Sequence, residues 1–323
     1  MSIRKLCALT VLTLCALHCA PPVSPADSGT DVADGAAIPA MDGASTDAIE
    51  PSADAGPMRD PLVIARPFRV RAPETVDPAH PLPMVLLLHG YSVNSNIQDV
   101  YFGLSNVVPT RNFVLALPDG TIDSRRNRFW NATEACCNFD GVAVDDVAYL
   151  RAVIADVKQR YPIDPAKVFV IGHSNGGFMA LRLACELSDQ ISAVISLAGA
   201  DRQDASRCRP AQPVHILAVH GTMDETVPYA GAMMGGISIY PGAEGTVANW
   251  AMRNGCTGML TATGAALDLD TGLMGAETTR LAHSGCRPGG SAELWRIVGG
   301  AHAPALANNW STLVMDWFMA HSR

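Results

Sequence analysis

KVFVIGHSNGGFMALRLA, running from Lys167 to Ala184, decides how this chain is read. The β-branched apolar run Val168 to Ile171 predicts a buried strand, and the apolar stretch after the glycines has the length of a helix. Between them lies Gly172-His173-Ser174-Asn175-Gly176, a G-x-S-x-G turn of the kind that exposes a serine at the top of a sheet. So sharp a strand-to-helix turn brings backbone against backbone, and glycines at its flanks remove the side chains that would collide. The pentapeptide alone is a weak signal. Its weight comes from the strand before it, the helix after it, and the partners that a serine hydroxyl needs before it can act as a nucleophile.

Outward from this stretch the alternation of strand and helix continues. Phe68 to Arg71 alternates like an edge strand, while Pro83 to Leu88 and Phe113 to Leu117 are continuous apolar runs, the mark of strands covered on both faces. Asp145 and Asp146 open a helix whose apolar positions, Val147, Leu150, Ile154, Val157 and Tyr161, form one stripe, and Pro162 ends it. Ala193 to Ala198, Val214 to Val219 and Leu294 to Val298 are further strands; Gly245 to Asn254 and Asn308 to Ala320 are helices. Strands alternating with helices predict an α/β fold with a mostly parallel central sheet flanked by helices. Met233 to Gly245 and Thr257 to Gly290 are Gly-rich and irregular, and are expected to form loops or a small excursion over one end of the sheet.

In such sheets, reactive groups collect where loops leave the carboxyl ends of the strands. After Val214–Val219 comes His220-Gly221-Thr222-Met223-Asp224-Glu225, and after Leu294–Val298 comes Gly299-Gly300-Ala301-His302. Asp224 and His302 thus stand where an acid and a base would serve Ser174, and the order Ser, Asp, His is that of the α/β-hydrolase fold. Asp201, just past an earlier strand, is the rival acid. His89, His173 and His220 adjoin strand ends and read as packing or loop-orienting residues. The backbone N–H of Tyr91, in the loop His89-Gly90-Tyr91, together with that of Asn175, would hold a developing oxyanion. Phe129 and Trp130 stand either as walls of a substrate groove or as packing. Asp145-Asp146 reads as a helix start rather than a catalytic dyad.

Hydrophobic residues make up 48% of the 323-residue chain, enough for one large core, and the formal net charge is −8. The acidity is concentrated at Asp27, Asp31, Asp34, Asp42, Asp47, Glu50, Asp54 and Asp60, opposed there by Arg59 alone. The remainder is close to neutral and carries no nucleic-acid footprint. Arg4 and Lys5 precede an apolar run from Leu6 to Leu17, shorter than the roughly 20 residues that span a bilayer, so residues 1–19 read as a signal peptide. Cys19, followed by Ala20 and Pro21, resembles the lipidated cysteine of bacterial lipoproteins, although Ala16 and His18 depart from the leucine and small residue that pattern prefers. Plain secretion and an uncleaved anchor are the other readings. Residues 20–60, rich in Ala, Asp, Pro and Ser, form a disordered tether, and 61–323 the catalytic domain. Cys136, Cys137, Cys185, Cys208, Cys256 and Cys286 remain in the body, an even number that suits disulfides in an exported chain. Without a CxxC pair, a zinc site is a poor reading of them.

At this point the sequence resembles the esterases related to polyhydroxybutyrate depolymerases and feruloyl esterases, secreted α/β-hydrolases of bacteria and fungi. The resemblance covers about Pro83 to Pro304 and rests on LLLHGYS, LPDG, the tract from FWNATEACC through VDDVAYLRAVIADVKQRYPIDPAKVFVIGHSNGGFMALRLACELSD, HGTMDETVPY and GGAH. It implies Ser174 as nucleophile, Asp224 as acid, His302 as base, and disulfides joining Cys185 to Cys208 and Cys256 to Cys286. Cys136 and Cys137 would then form a vicinal bridge or stay as thiols. The base is typically followed by Trp-Pro, where this chain has Ala303-Pro304, so the pocket is expected to differ in shape. The chain ends soon after its last helix, so soluble or oligomeric esters are the expected substrates rather than solid polyester. Feruloyl-type aromatic esters, acetylated sugars and hydroxyalkanoate oligomers all remain candidates. No metal or organic cofactor is implied. A peptidase or acyltransferase with the same triad, and an inactive hydrolase-fold surface lipoprotein, are the competing readings.

Overall fold

The structure is a computed structural model that describes residues 58–234 and 237–323. The leader, Cys19 and all but the last residues of the tether lie outside the described residues. Of those last residues, Arg59 pairs with buried Asp156 at 2.6 Å and Asp60 caps the first helix.

In chain order the elements are α1 (Pro61–Ala65), β1 (Arg69–Arg71), β2 (Leu82–Leu88), α2 (Ser95–Phe102), α3 (Leu104–Arg111), β3 (Val114–Leu117), β4 (Thr121–Ile122), β5 (Arg128–Phe129), α4 (Asp146–Arg160) and β6 (Ile163–His173). Then follow α5 (Asn175–Glu186), β7 (Ala193–Leu197), β8 (His215–Gly221), β9 (Gly231–Met234), β10 (Ile237–Pro241), α6 (Ala243–Arg253), β11 (Leu260–Ala262), β12 (Thr278–His283), β13 (Ser291–Ile297) and α7 (Trp310–Ala320). Asp145 caps α4 by accepting from the Ala148 amide, and Asp146 binds Arg66 and the Asn131 amide, so both serve the helix start.

The main sheet has nine strands in the order β1-β3-β2-β6-β7-β8-β13-β12-β11. β3, β2, β6, β7, β8 and β13 run parallel, and β1, β12 and β11 add antiparallel edges. The mostly parallel sheet expected from the sequence is therefore present. Part of the stretch expected as loop, Thr257 to Gly290, instead supplies β11 and β12, which extend that sheet. Their side chains are largely half-exposed, so they lack the continuous apolar run that marks the central strands.

Period-two alternation explains the two cores. Met84, Leu86 and Leu88 of β2 face the layer of α4, α5 and α6; Val85 and Leu87 face that of α2, α3 and α7. Val168 and Val170 of β6 divide from Phe169 and Ile171 in the same way. A run that is apolar at every residue is what a strand buried on both sides requires. The chain leaves β2 for β3 on one side and returns to β6 on the other. β2 and β6 are thus neighbours where the strand order reverses, the crevice in which open α/β sheets place ligands.

Candidate active site

Ser174 follows the last residue of β6 and takes φ 55° and ψ −122°, a conformation that costs a non-glycine residue about 1–3 kcal/mol. The flanking glycines make that turn possible. A Cβ on Gly172 would lie 2.1 Å from the Gly176 carbonyl oxygen, and one on Gly176 would lie 2.2 Å from the Leu88 carbonyl oxygen. The elbow is thus pressed against the end of β2, which carries the loop His89-Gly90-Tyr91.

Asp224 and His302 come together on the neighbouring strand ends. His302 Nδ1 lies 2.8 Å from Asp224 Oδ2, and the Asp224 side chain is fully buried. The other carboxylate oxygen accepts the amides of Thr226 and Val227 at 2.9 and 2.8 Å. Burial alone would push the Asp224 carboxyl up. The hydrogen bonds from His220, His302 and the Val227 amide outweigh that and hold it well below the usual carboxylate range.

The loops bearing Asp224 and His302 are stitched to each other. Met223 N–H donates to the Gly300 carbonyl at 2.9 Å, Thr222 N–H to that of Ile297 at 2.9 Å, and Gly299 N–H to Thr222 Oγ1 at 2.8 Å. They approach so closely that a Cβ on Gly221 would sit 2.2 Å from the Gly300 oxygen.

Three supporting residues were not assigned these contacts from the sequence. His220 directs Nε2–H to the Val227 carbonyl at 2.8 Å and to Asp224 Oδ2 at 3.2 Å, so the carboxylate is held by two imidazoles. His173 Nε2–H donates to the His302 carbonyl at 2.9 Å and thereby links the elbow to the loop of His302. Burial holds His173 down at about 4. The Asn175 side chain makes a two-way amide pair with Trp130, accepting its N–H at 2.7 Å and donating to its carbonyl at 3.0 Å. The only sequence cue was position: His220 four residues before Asp224, His173 and Asn175 inside the elbow.

Other expectations resolve as follows. Phe129 and Trp130 have no exposed surface, so neither side chain forms a wall of an open groove; Trp130 Nε1–H instead donates to the His89 carbonyl at 3.0 Å. Asp201, the rival acid, is instead bound by Arg253 Nη1 at 2.6 Å and Asn249 Nδ2 at 3.1 Å, and His302 meets Asp224. Gly90 N–H is taken by Gln98 Oε1 at 3.1 Å, while Asn175 is the first residue of α5, whose first-turn N–H groups lack an intrahelical partner. Cysteine pairs join Cys185 to Cys208, Cys256 to Cys286 and Cys136 to Cys137. Among the described residues no cluster of His, Cys, Asp and Glu suits a metal ion.

The chain is similar to known esterases. The profile of the family described as Phospholipase/Carboxylesterase matches residues 141–235, a stretch that includes Ser174 and Asp224. Feruloyl esterase B of Piromyces equi is 31% identical over 152 residues, covering 45% of this chain and 27% of that protein, so the chain spans only about a quarter of that relative. Feruloyl esterase D of Neurospora crassa is 27% identical over 253 residues, 75% of each chain. Among solved structures, an acetyl xylan esterase from Aspergillus awamori superposes with a TM-score of 0.56 at 14% identity, over 78% of this chain and 93% of that one, a likeness of fold.

Proposed function

We propose that this chain, an esterase-like α/β-hydrolase by its fold and its relatives, is a serine carboxylesterase that works through an acyl-enzyme. The observation that carries the reading is the 2.8 Å Asp224–His302 pair, held at the ends of β8 and β13, which lie on one side of the strained Ser174 elbow with β7 between. With Nδ1–H committed to Asp224, His302 is the tautomer whose Nε2 can accept a proton. Ser174 Oγ attacks the ester carbonyl as its proton passes to His302, and the carbonyl oxygen becomes an oxyanion. The Asn175 N–H at the start of α5, with that of Tyr91, would stabilise it. His302 then protonates the departing alkoxide. Water, giving its proton to His302, attacks the acyl carbon, and collapse of the second tetrahedral species releases the acid and regenerates Ser174.

The relatives named above support a carbohydrate-linked ester, aromatic-acid or acetyl, ahead of a hydroxyalkanoate oligomer. Three disulfides support a compartment outside the reducing cytoplasm. We place the enzyme there, secreted or tethered through a lipid on Cys19. The test is a panel of esters differing in acyl group, run on wild type and Ser174→Ala, with mass spectrometry after a fluorophosphonate probe. Hydrolysis across part of the panel, lost in Ser174→Ala together with the probe adduct on the protein, is expected. An inert wild type, or a Ser174→Ala enzyme that still turns over, sinks the reading.

A further inference from the structure

Beside the elbow lies a cavity of about 320 Å³ onto which Arg182, Arg202 and Arg207 converge, with Cys136 and Phe139 on its walls. Arg202 comes just after β7, and Cys136 Sγ lies 3.6 Å from Asn175 Nδ2, one residue past the nucleophile. Arg182 sits on α5, eight residues after Ser174 and so about 12 Å along the helix. Its Nε donates to Glu186 one turn further along the helix, and Nη1 donates to the Asn131 carbonyl.

Two carboxylates face these three guanidinium groups. Glu186 takes Arg182 Nε at 2.8 Å and Arg202 Nη2 at 2.9 Å, and Glu134 pairs with Arg207 Nη1. A positive charge is left over, in a setting where the Arg182 and Arg202 side chains are only 20% and 11% exposed. Each guanidinium has five N–H donors in a planar fork, and the named contacts engage a minority of them. Burial, and then the charge of Arg182, hold Arg202 below its ordinary value, as crowded positive charge would. A planar carboxylate suits such a site, since two oxygens can meet the planar forks that Glu186 and Glu134 leave unfilled.

We infer that this cavity is an anion subsite for a carboxylate carried by the ester substrate itself, several bonds from the scissile carbonyl. The enzyme would then favour acidic esters, such as hemiesters of dicarboxylic acids or esters of uronate-bearing sugars. The inference rests on the esterase reading, and two measurements keep the two apart.

In the first, p-nitrophenyl hemiesters of glutaric, adipic and suberic acids are compared with the matching carboxamides at low salt. The kcat/KM ratio of acid to amide should be about tenfold or more, larger for the longer chains, and should fall toward one in Arg202→Gln and Arg207→Gln. Because both substrates are assayed in one preparation, the ratio does not depend on the fraction folded. In the second, calorimetry on Ser174→Ala measures binding of monoethyl suberate and of its amide. The acid should bind at least about fivefold more tightly, with the difference abolished by adding Arg202→Gln. A ratio near one in wild type, a ratio retained in both arginine variants, or equal binding of acid and amide overturns the subsite. Loss of all hydrolysis would instead overturn the esterase reading, and the calorimetry would still decide the subsite.

Discussion

Lowering the pH from 7 to 5 should weaken this fold through two histidines buried in neutral form. His89 directs Nδ1–H to the Gly90 carbonyl at 2.7 Å, and its Nε2 accepts the Gly120 N–H at 2.8 Å, so a second ring proton would confront a donor. Burial holds His89 and His173 at about 4, against 6.5 for a free imidazole. Between these values the unfolded chain binds more protons than the folded one, so stability falls with pH and the loss levels off below about 4. By linkage each site contributes about 2 kcal/mol between pH 7 and 5, or about 4 kcal/mol together, a large part of a typical domain's stability. His215, also held to about 4 by burial, acts with the same sign. His321 acts against them. Burial alone would lower it, but Glu293 raises it, so its contribution is fully present at low pH and is lost as pH rises through its folded value. Asp224, held low, loses its contribution only in stronger acid. Urea unfolding followed by tryptophan fluorescence at pH 7, 6 and 5, with disulfides intact, measures the slope. His89→Gln and His173→Asn should each remove about 2 kcal/mol of the pH dependence, whatever they do to absolute stability. A wild type equally stable at both pH values, or variants that keep its full slope, would refute the reasoning.

Three further outcomes follow from the geometry. Asp224→Asn should lower kcat by about 10³-fold or more with little change in KM, because the base loses its orientation; steady-state kinetics on a p-nitrophenyl ester decide it. Arg253→Met should cost about 3 kcal/mol or more in urea unfolding, since it strands the Asp201 carboxylate, which is 4% exposed. Replacing both Cys185 and Cys208 with serine opens a loop with a sequence separation of 23 and should cost about 3 kcal/mol, read as a lower denaturation midpoint.

Much of the site was legible because each feature reduces to a pattern along the chain. A doubly buried strand must be apolar at every residue, an elbow must have glycines, and an acid and a base must follow strand ends. β11 and β12 escaped because half-exposed edge strands among glycines carry no such pattern. The stretch forming α2 and α3 was passed over for a similar reason, being polar and interrupted by Pro109. Trp130 was ambiguous because an aromatic residue in a polar loop looks the same whether it faces solvent or the back of the nucleophile. Its partners distinguish the two: Asn175 on the Trp130 backbone and the His89 carbonyl on Nε1–H. The converging arginines were invisible for the converse reason, since Arg182 and the pair Arg202 and Arg207 approach from separate segments.

The contact between Gly221 and Gly300 bears on how such a protein could be rebuilt. Asp224 and His302 belong to one interlocked cassette, while Ser174 rides on another strand. A graft that replaced Gly221 with a larger residue would drive its Cβ into the Gly300 backbone before any chemistry was tested. A swap of the two loops together would carry the Asp–His relation across intact, leaving the spacing to Ser174 as the one dimension to tune.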